Sequence, residues 1–262
     1  PFFLYVPFNA PHYPMHAPQE YMDRFAYLPW DRQVMAAMIS AVDDAIAKIK
    51  HELERLSLTD NTLSVFTSDN GPSRESRNWL DGSQDPYYGG TSGGLKGHKF
   101  SLFDGGVKEP AIMHWPSRIP GGQVSTQSCA SMDIVPTVLE AIGVDASQYE
   151  IDGTSVLPHV TTGEDLEERA IFWEMDGQTA VRRGKWKLVL NGQLVETAEP
   201  VAEVHLSDVE SDPSESVNLV DSEPEIAAEL KKLAEDWRAG IVKRWEEQYA
   251  GVDHEYVAHG MV

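Results

Sequence analysis

Cysteine is almost absent from this chain: Cys129 is the only one in 262 residues. No disulfide can form within it, and no cysteine cluster can hold zinc. Cationic residues are scarce too, with 21 Lys and Arg against 42 Asp and Glu, a net charge of -21. A surface of that sign repels phosphate backbones, so no nucleic-acid partner is expected. No apolar run is long enough to span a membrane. An initiating Met is also missing, and Pro1-Phe2-Phe3-Leu4-Tyr5-Val6 reads as a core strand. The expectation is an N-terminal region upstream of Pro1. Localisation stays open between periplasmic or secreted and cytoplasmic.

What is present supports a real core: 41% hydrophobic residues, with 7 Trp, 9 Tyr and 8 Phe. Residues 2–6 are apolar throughout, as in a strand covered on both faces. Residues 7–18 hold four prolines and two histidines, which makes them an ordered loop. A long helix is predicted from Asp31 as N-cap, with Met35, Met38, Val42, Ile46, Ile49, Leu53 and Leu56 on one stripe. A strand then begins at about Thr62. The strand–helix–strand order predicts a right-handed crossover and a largely parallel sheet.

The strand starting at Thr62 ends in Leu63-Ser64-Val65-Phe66-Thr67-Ser68-Asp69-Asn70-Gly71. Two oxygen-bearing residues at the carboxyl end of a core strand suit a hard divalent cation. The competing explanation is an Asx turn closed by Gly71. Residues 72–94 form a polar, glycine-rich connection of the length that is usually functional. Within it, Arg74, Arg77, Trp79 and Tyr87 could line a cleft or simply sit on an exposed loop.

Further on, a strand is predicted at residues 111–114 and a helix over 132–142, starting near Asp133, with Pro136 in its first turn and Gly143 as C-cap. Beyond Gly163 the composition shifts. Runs at 171–173, 178–182 and 185–190, with Gly184 turning between the last two, predict an antiparallel meander; residues 203–206 could add a strand. A helix over 223–248 follows, with Ile226, Leu230, Leu233, Trp237, Ile241 and Trp245 on one side. The chain divides at about residue 168: an α/β part over 1–168 and a smaller α+β subdomain over 169–262.

Three polar groups stand at or between apolar segments: His12, the Asp69-Asn70 pair, and Lys99. Histidine suits proton transfer near neutral pH, and lysine holds an anion. Each also has a plainer reading as a loop or turn residue. His16 could join His12 on a metal, but no helix enforces that spacing. Cys129 reads as an ordinary buried cysteine.

Taken in order, the motifs resemble the C-terminal two-thirds of a type I, formylglycine-dependent sulfatase of the alkaline phosphatase superfamily. The resemblance rests on Pro1-Phe2-Phe3-Leu4-Tyr5 with Asn9-Ala10-Pro11-His12-Tyr13-Pro14, and on Thr67-Ser68-Asp69-Asn70-Gly71. Gly94-Leu95-Lys96-Gly97-His98-Lys99 continues it through Asp104-Gly105-Gly106-Val107-Lys108-Glu109-Pro110. Asp133-Ile134-Val135-Pro136-Thr137, Ile151-Asp152-Gly153, Arg183-Gly184-Lys185-Trp186-Lys187-Leu188 and Asp212-Pro213-Ser214-Glu215 with Asn218-Leu219 complete the series.

The resemblance implies an alkaline-phosphatase-like α/β fold, with a mostly parallel sheet flanked by helices, followed by a small subdomain carrying an antiparallel sheet. It implies that Asp69 and Asn70 are two ligands of a calcium ion. Lys99 would contact sulfate, and His12 would give a proton to the departing oxygen. The substrate would be a sulfated small molecule or carbohydrate. Asn70 favours sulfate esters, because related phosphonate monoester hydrolases carry histidine after the aspartate. Lys96 and Asp104 stand where arginine and glutamate are frequent, with charge kept. The family's nucleophile, a cysteine in Cys-x-Pro-Ser-Arg that becomes formylglycine, has no counterpart here, since Cys129 lies in Ser128-Cys129-Ala130-Ser131. This chain alone is therefore expected to be inactive. The alternatives are a phosphonate or phosphate ester hydrolase of the same superfamily, and a non-catalytic scaffold.

Overall fold

The computed structural model describes residues 1–73 and 90–250. Residues 1–18 form no helix or strand; Gln19–Arg24 (α1) follows, packed on Trp30–Arg55 (α2). α2 begins at Trp30 with Pro29 as its N-cap, two residues before the expected Asp31 cap. Proline has a helical φ and no N–H to leave unpaired, so it starts a helix without side-chain help. Asp31 falls in the first turn, where its charge suits the helix dipole. Of the expected apolar stripe only Met38 is buried; Val34 and Ala37 are the other buried positions, and Leu56 is exposed. The proline-rich loop supplies the covering: Met15 packs with Val34 and Met38, flanked by Ala10 and Tyr13. This contact fixes the stretch that carries His12.

Ser64–Thr67 (β1) is the strand of the Asp69-Asn70 segment, and after Asp104–Val107 (α3) comes Ala111–His114 (β2). The two strands pair antiparallel, with Val65 opposite Met113 and Phe66 opposite Ile112. The parallel pairing expected for this region is absent among the described residues, and residues 2–6 join no ladder, with Phe3 80% exposed. The pairing is set by a contact between segments far apart in the chain. The Thr67 hydroxyl donates to the Pro110 carbonyl at 3.1 Å, so the end of β1 meets the start of β2 and the second strand runs back along the first.

A 3-10 turn at Ser131–Asp133 leads into Ile134–Ala141 (α4), and Leu157–Thr162 (α5) follows. The buried Asp133 carboxylate caps this start, accepting from Ala130 N at 2.7 Å and Thr154 N at 2.8 Å and pairing with Arg169. Gly143 ends the helix region at φ +76, as expected of a C-cap glycine.

The meander is Ala170–Met175 (β3), Gln178–Arg183 (β4), Trp186–Leu190 (β5) and Val204–Asp208 (β6), joined antiparallel in that order. Asp176-Gly177, both at positive φ, make the two-residue turn from β3 to β4. Pro224–Tyr249 (α6) lies against β4 and β5. Successive residues of a strand face opposite ways. Val181, Leu188 and Leu206 meet Ala227, Leu230 and Ala234 of α6, whereas Ala180 and Val189 meet Leu102 and Phe103 on the other face. Each fully buried valine or leucine side chain here contributes about 1.5–3 kcal/mol. Trp237 stacks on Phe172 at 5.1 Å, as the predicted stripe requires. The alanines, which that stripe left out, let the helix approach closely. The sheet is thus covered on one side by α6 and on the other by the segment just before α3.

Candidate active site

β1 delivers residues 68–71 to its open end. The Ser68 hydroxyl donates to the Asn70 carbonyl at 3.1 Å, and Asn70 Nδ2 donates to the Gly71 carbonyl at 2.9 Å. Gly71 N donates to the Gly106 carbonyl at 2.9 Å, and a Cβ on Gly71 would stand 2.0 Å from the Gly105 carbonyl oxygen. No larger residue fits there. One residue on, the Pro72 carbonyl accepts from Lys99 N at 2.9 Å. The Asp69-Asn70 turn and the lysine segment are therefore joined backbone to backbone.

Residues 96–106 form a loop closed at its neck, where Gly105 N donates to the Lys96 carbonyl at 2.7 Å. Gly97 has φ +82, and a Cβ there would overlap the Ser101 hydroxyl at 2.2 Å. That hydroxyl donates to the Gln193 carbonyl at 2.6 Å, tying the loop to the meander. Lys99 projects from the loop, and its Nζ lies 3.1 Å from His12 Nε2. The other ring nitrogen, Nδ1, donates to the Tyr13 carbonyl at 2.7 Å, an assignment that follows from a carbonyl having no proton to give. Nε2 then carries the lone pair that accepts from the ammonium. His12 is exposed and Lys99 half-buried, so the pair opens to solvent.

Asp69 is exposed, and its carboxylate makes no hydrogen bond or ion pair among the described residues. Its charge is felt at Glu109, whose carboxyl is pushed up first by burial and then by Asp69. Glu109, quoted above only as part of a motif, is thus a second acid beside the turn. Asn70 is half-buried; with Nδ2 engaged, Oδ1 is the atom left to act as a ligand. A carboxylate and an amide oxygen are the donors a hard divalent cation takes, but calcium needs six to eight oxygens. No group of three or more His, Cys, Asp or Glu capable of holding a metal occurs among the described residues, so the pair fits part of such a site.

The structure joins His12 to Lys99 through side chains, and Lys99 to the Asp69-Asn70 turn through backbone only. His16 is exposed and belongs to no metal cluster among the described residues. Arg74, Arg77, Trp79 and Tyr87 lie outside the described residues. Cys129 is exposed, not buried as expected, because the irregular chain before the 131–133 turn leaves it at the surface. Neighbouring atoms still crowd its sulfur, and this desolvation, with Asp133 second, holds the thiol above its ordinary value. Such a thiol is not an activated nucleophile.

A profile of the sulfatase family matches residues 1–144. The chain belongs to the sulfatase family. A second profile, for the C-terminal region of N-sulphoglucosamine sulphohydrolase, matches residues 97–240. The chain is 33% identical over 188 residues to N-acetylgalactosamine-6-sulfatase of Canis lupus familiaris, covering 71% of this chain and 34% of that protein. It is 30% identical over 259 residues to human (Homo sapiens) arylsulfatase A, covering 89% and 48%. The crystal structure of Ps i-CgsB superposes with a TM-score of 0.74 at 30% identity, covering 90% of this chain and 50% of that one. The chain thus spans between a third and a half of the length of these sulfatases. Their shared fold places this chain in the α/β, alkaline-phosphatase-like class, with the β1–β2 pair as an antiparallel element of it.

Proposed function

We propose that this chain is part of a sulfuric ester hydrolase that cleaves a sulfate monoester on a carbohydrate or small molecule. The observation that carries the reading is the 3.1 Å contact between Lys99 Nζ and His12 Nε2, made by residues 87 apart in sequence. A cationic Nζ in an acidic protein is the local positive charge an anionic substrate needs. Family membership supports the reaction class, and the sugar named in the matched N-acetylgalactosamine-6-sulfatase supports a carbohydrate substrate.

In this reading Asp69 and Asn70 hold a calcium ion, which supplies Lewis-acid polarisation of the sulfuryl group when bound. Lys99 orients the sulfate and offsets charge on the departing oxygen. The Nδ1–H bond to the Tyr13 carbonyl keeps the His12 ring in one orientation. Nε2 then faces Nζ, and the proton for the leaving oxygen is held between these two atoms. The formylglycine nucleophile lies outside these 262 residues. The division into residues 1–168, the C-terminal part of the catalytic α/β domain, and residues 169–262, the subdomain, belongs to the same proposal; the separate sheets on either side of residue 168 support it.

The test compares 4-nitrophenyl sulfate, 4-nitrophenyl phosphate and a phenyl phosphonate with the full-length protein. Sulfate turnover that exceeds the other two, and that a calcium chelator abolishes, supports the proposal. Phosphoryl turnover in excess supports the phosphonate or phosphate hydrolase, and no turnover of any ester supports the scaffold. The 262-residue chain by itself should hydrolyse none of them.

A further inference from the structure

Glu215 is fully buried, yet it sits at φ +48, a left-handed conformation that L side chains rarely adopt. It lies between β6 and α6, remote in sequence from the lysine loop. Its side chain nevertheless reaches that loop: Oε2 accepts from Asp104 N at 2.6 Å. Its backbone carbonyl accepts from Lys96 Nζ at 2.9 Å and is 3.1 Å from His205 Nε2. Lys96 and Asp104 flank the neck of the 96–106 loop, closed by the bond from Gly105 N to the Lys96 carbonyl. One residue thus grips the loop on both sides of its neck.

The grip is backed by charge. Lys187 of β5 is fully buried, 2.6 Å from Asp104 Oδ1 and 3.6 Å from Glu215 Oε1. Burial works to raise the Asp104 carboxyl, but Lys187, with Lys108 and Arg182 behind it, holds the group below the usual carboxylate range. Burial likewise pushes the Glu215 carboxyl up, with Lys187 opposing. The Lys96 ammonium also lies 4.4 Å from the centre of the Phe103 ring. Backbone held in a sparsely populated conformation persists only where its surroundings over-determine it, and it clusters at functional sites. Here those surroundings are the two ends of the loop that carries Lys99.

We propose that Glu215 is a positioning residue for Lys99: it clamps the neck of the 96–106 loop so that Nζ meets His12 and the backbone meets Pro72. The proposal rests on the reading of Lys99 as the group that contacts sulfate. Glu215 touches no reacting atom; it acts through the loop.

The test is a double-mutant cycle in the full-length protein, with 4-nitrophenyl sulfate as substrate and thermal melting as the folding control. Glu215→Ala should lower kcat by about 100-fold, the order expected when a catalytic group is misplaced by an ångström. In a Lys99→Ala background the same change should cost about twofold or less, because its effect passes through a group already removed. Glu215→Gln keeps an oxygen for Asp104 N and should recover most of the rate; it also carries the test if the alanine variant fails to fold. Multiplying losses in the double mutant, or a glutamine variant as slow as the alanine one with an unchanged melt, would overturn the proposal. Amide exchange reads the clamp without turnover. The Lys99, Gly105 and Gly71 N–H groups should lose protection in Glu215→Ala while β4 and β5 keep theirs, and unchanged protection at those three refutes the clamp. A wild-type protein that cleaves no sulfate ester defeats the sulfatase reading alone, and the exchange result then decides the clamp.

Discussion

In the β1–β2 ribbon the cross-strand partners Phe66 and Ile112 are 49% and 61% exposed, whereas Val181 and Leu188, partners in the meander, are fully buried. Both pairs are apolar and antiparallel. They differ in what covers them: α6 lies over one face of the four-stranded sheet, and Leu102 with Phe103 covers the other. Two strands alone bury too little to be stable, whereas a covered sheet of four holds itself. Within these 262 residues the candidate chemistry sits at the end of the barer element, and the packing that holds it comes from the covered one. The 96–106 loop connects them, since Phe103 and Asp104 are packed in the meander's core and Lys99 is presented at the ribbon's end.

The comparison breaks most severely at Lys187. Lys187→Met removes the one fully buried cation between the Asp104 and Glu215 carboxylates, leaving Asp104 only the half-exposed Lys108 at 3.5 Å, and should cost about 3–5 kcal/mol in denaturant unfolding. A smaller loss would mean that the two carboxylates take up a proton on their own. Leu230→Ala, at the α6 face, should cost about 2–5 kcal/mol, against about 1 kcal/mol or less for Phe66→Ala on the open ribbon. Equal costs would abolish the contrast between the two sheets.

Acid should reach the meander through His205. Burial, with the Lys96 charge second, lowers its pKa from 6.5 to about 4. Between those values the unfolded chain binds a proton that the folded one does not, so stability falls as pH drops through this window. The loss approaches about 3 kcal/mol at the acid end. His205→Gln should flatten the melting curve across that range, and an unchanged slope would assign the acid sensitivity elsewhere. The smallest effect belongs to Asp69. Its carboxylate is exposed and unpaired among the described residues, so Asp69→Ala should shift stability by no more than about 0.5 kcal/mol. In the full-length protein the same change should remove the calcium dependence proposed for turnover, which a chelator titration reads.

Much of the stronger region was legible in the sequence. Short strand-like runs, Gly184 at a turn and a long apolar stripe ending at tryptophans predicted β3 to β5 and α6, with β6 an open fourth strand at residues 203–206. The helix start at Asp133 and its glycine stop at 143 were equally readable, because capping is decided within a few residues. The ribbon was harder. Residues 2–6 look like a strand by composition, but a strand exists only where a neighbour accepts its hydrogen bonds, and no local signal names that neighbour. The antiparallel sense of β1 and β2 came from the Thr67–Pro110 contact, 43 residues apart. The exposure of Cys129 was likewise set by packing.

The sequence alone determined the list of chemical groups: a histidine in a proline-rich loop, an Asp-Asn pair after a strand, a lysine among glycines, and one cysteine in the wrong setting to be a nucleophile. These are local, since residue type and immediate neighbours decide them. Only the tertiary structure decided that His12 and Lys99 meet, that Gly71 must be glycine because Gly105 lies against it, and that Lys187, Asp104 and Glu215 form one buried charge cluster. Those facts depend on distances between segments far apart in the chain. Such distances are fixed by which apolar faces cover each other.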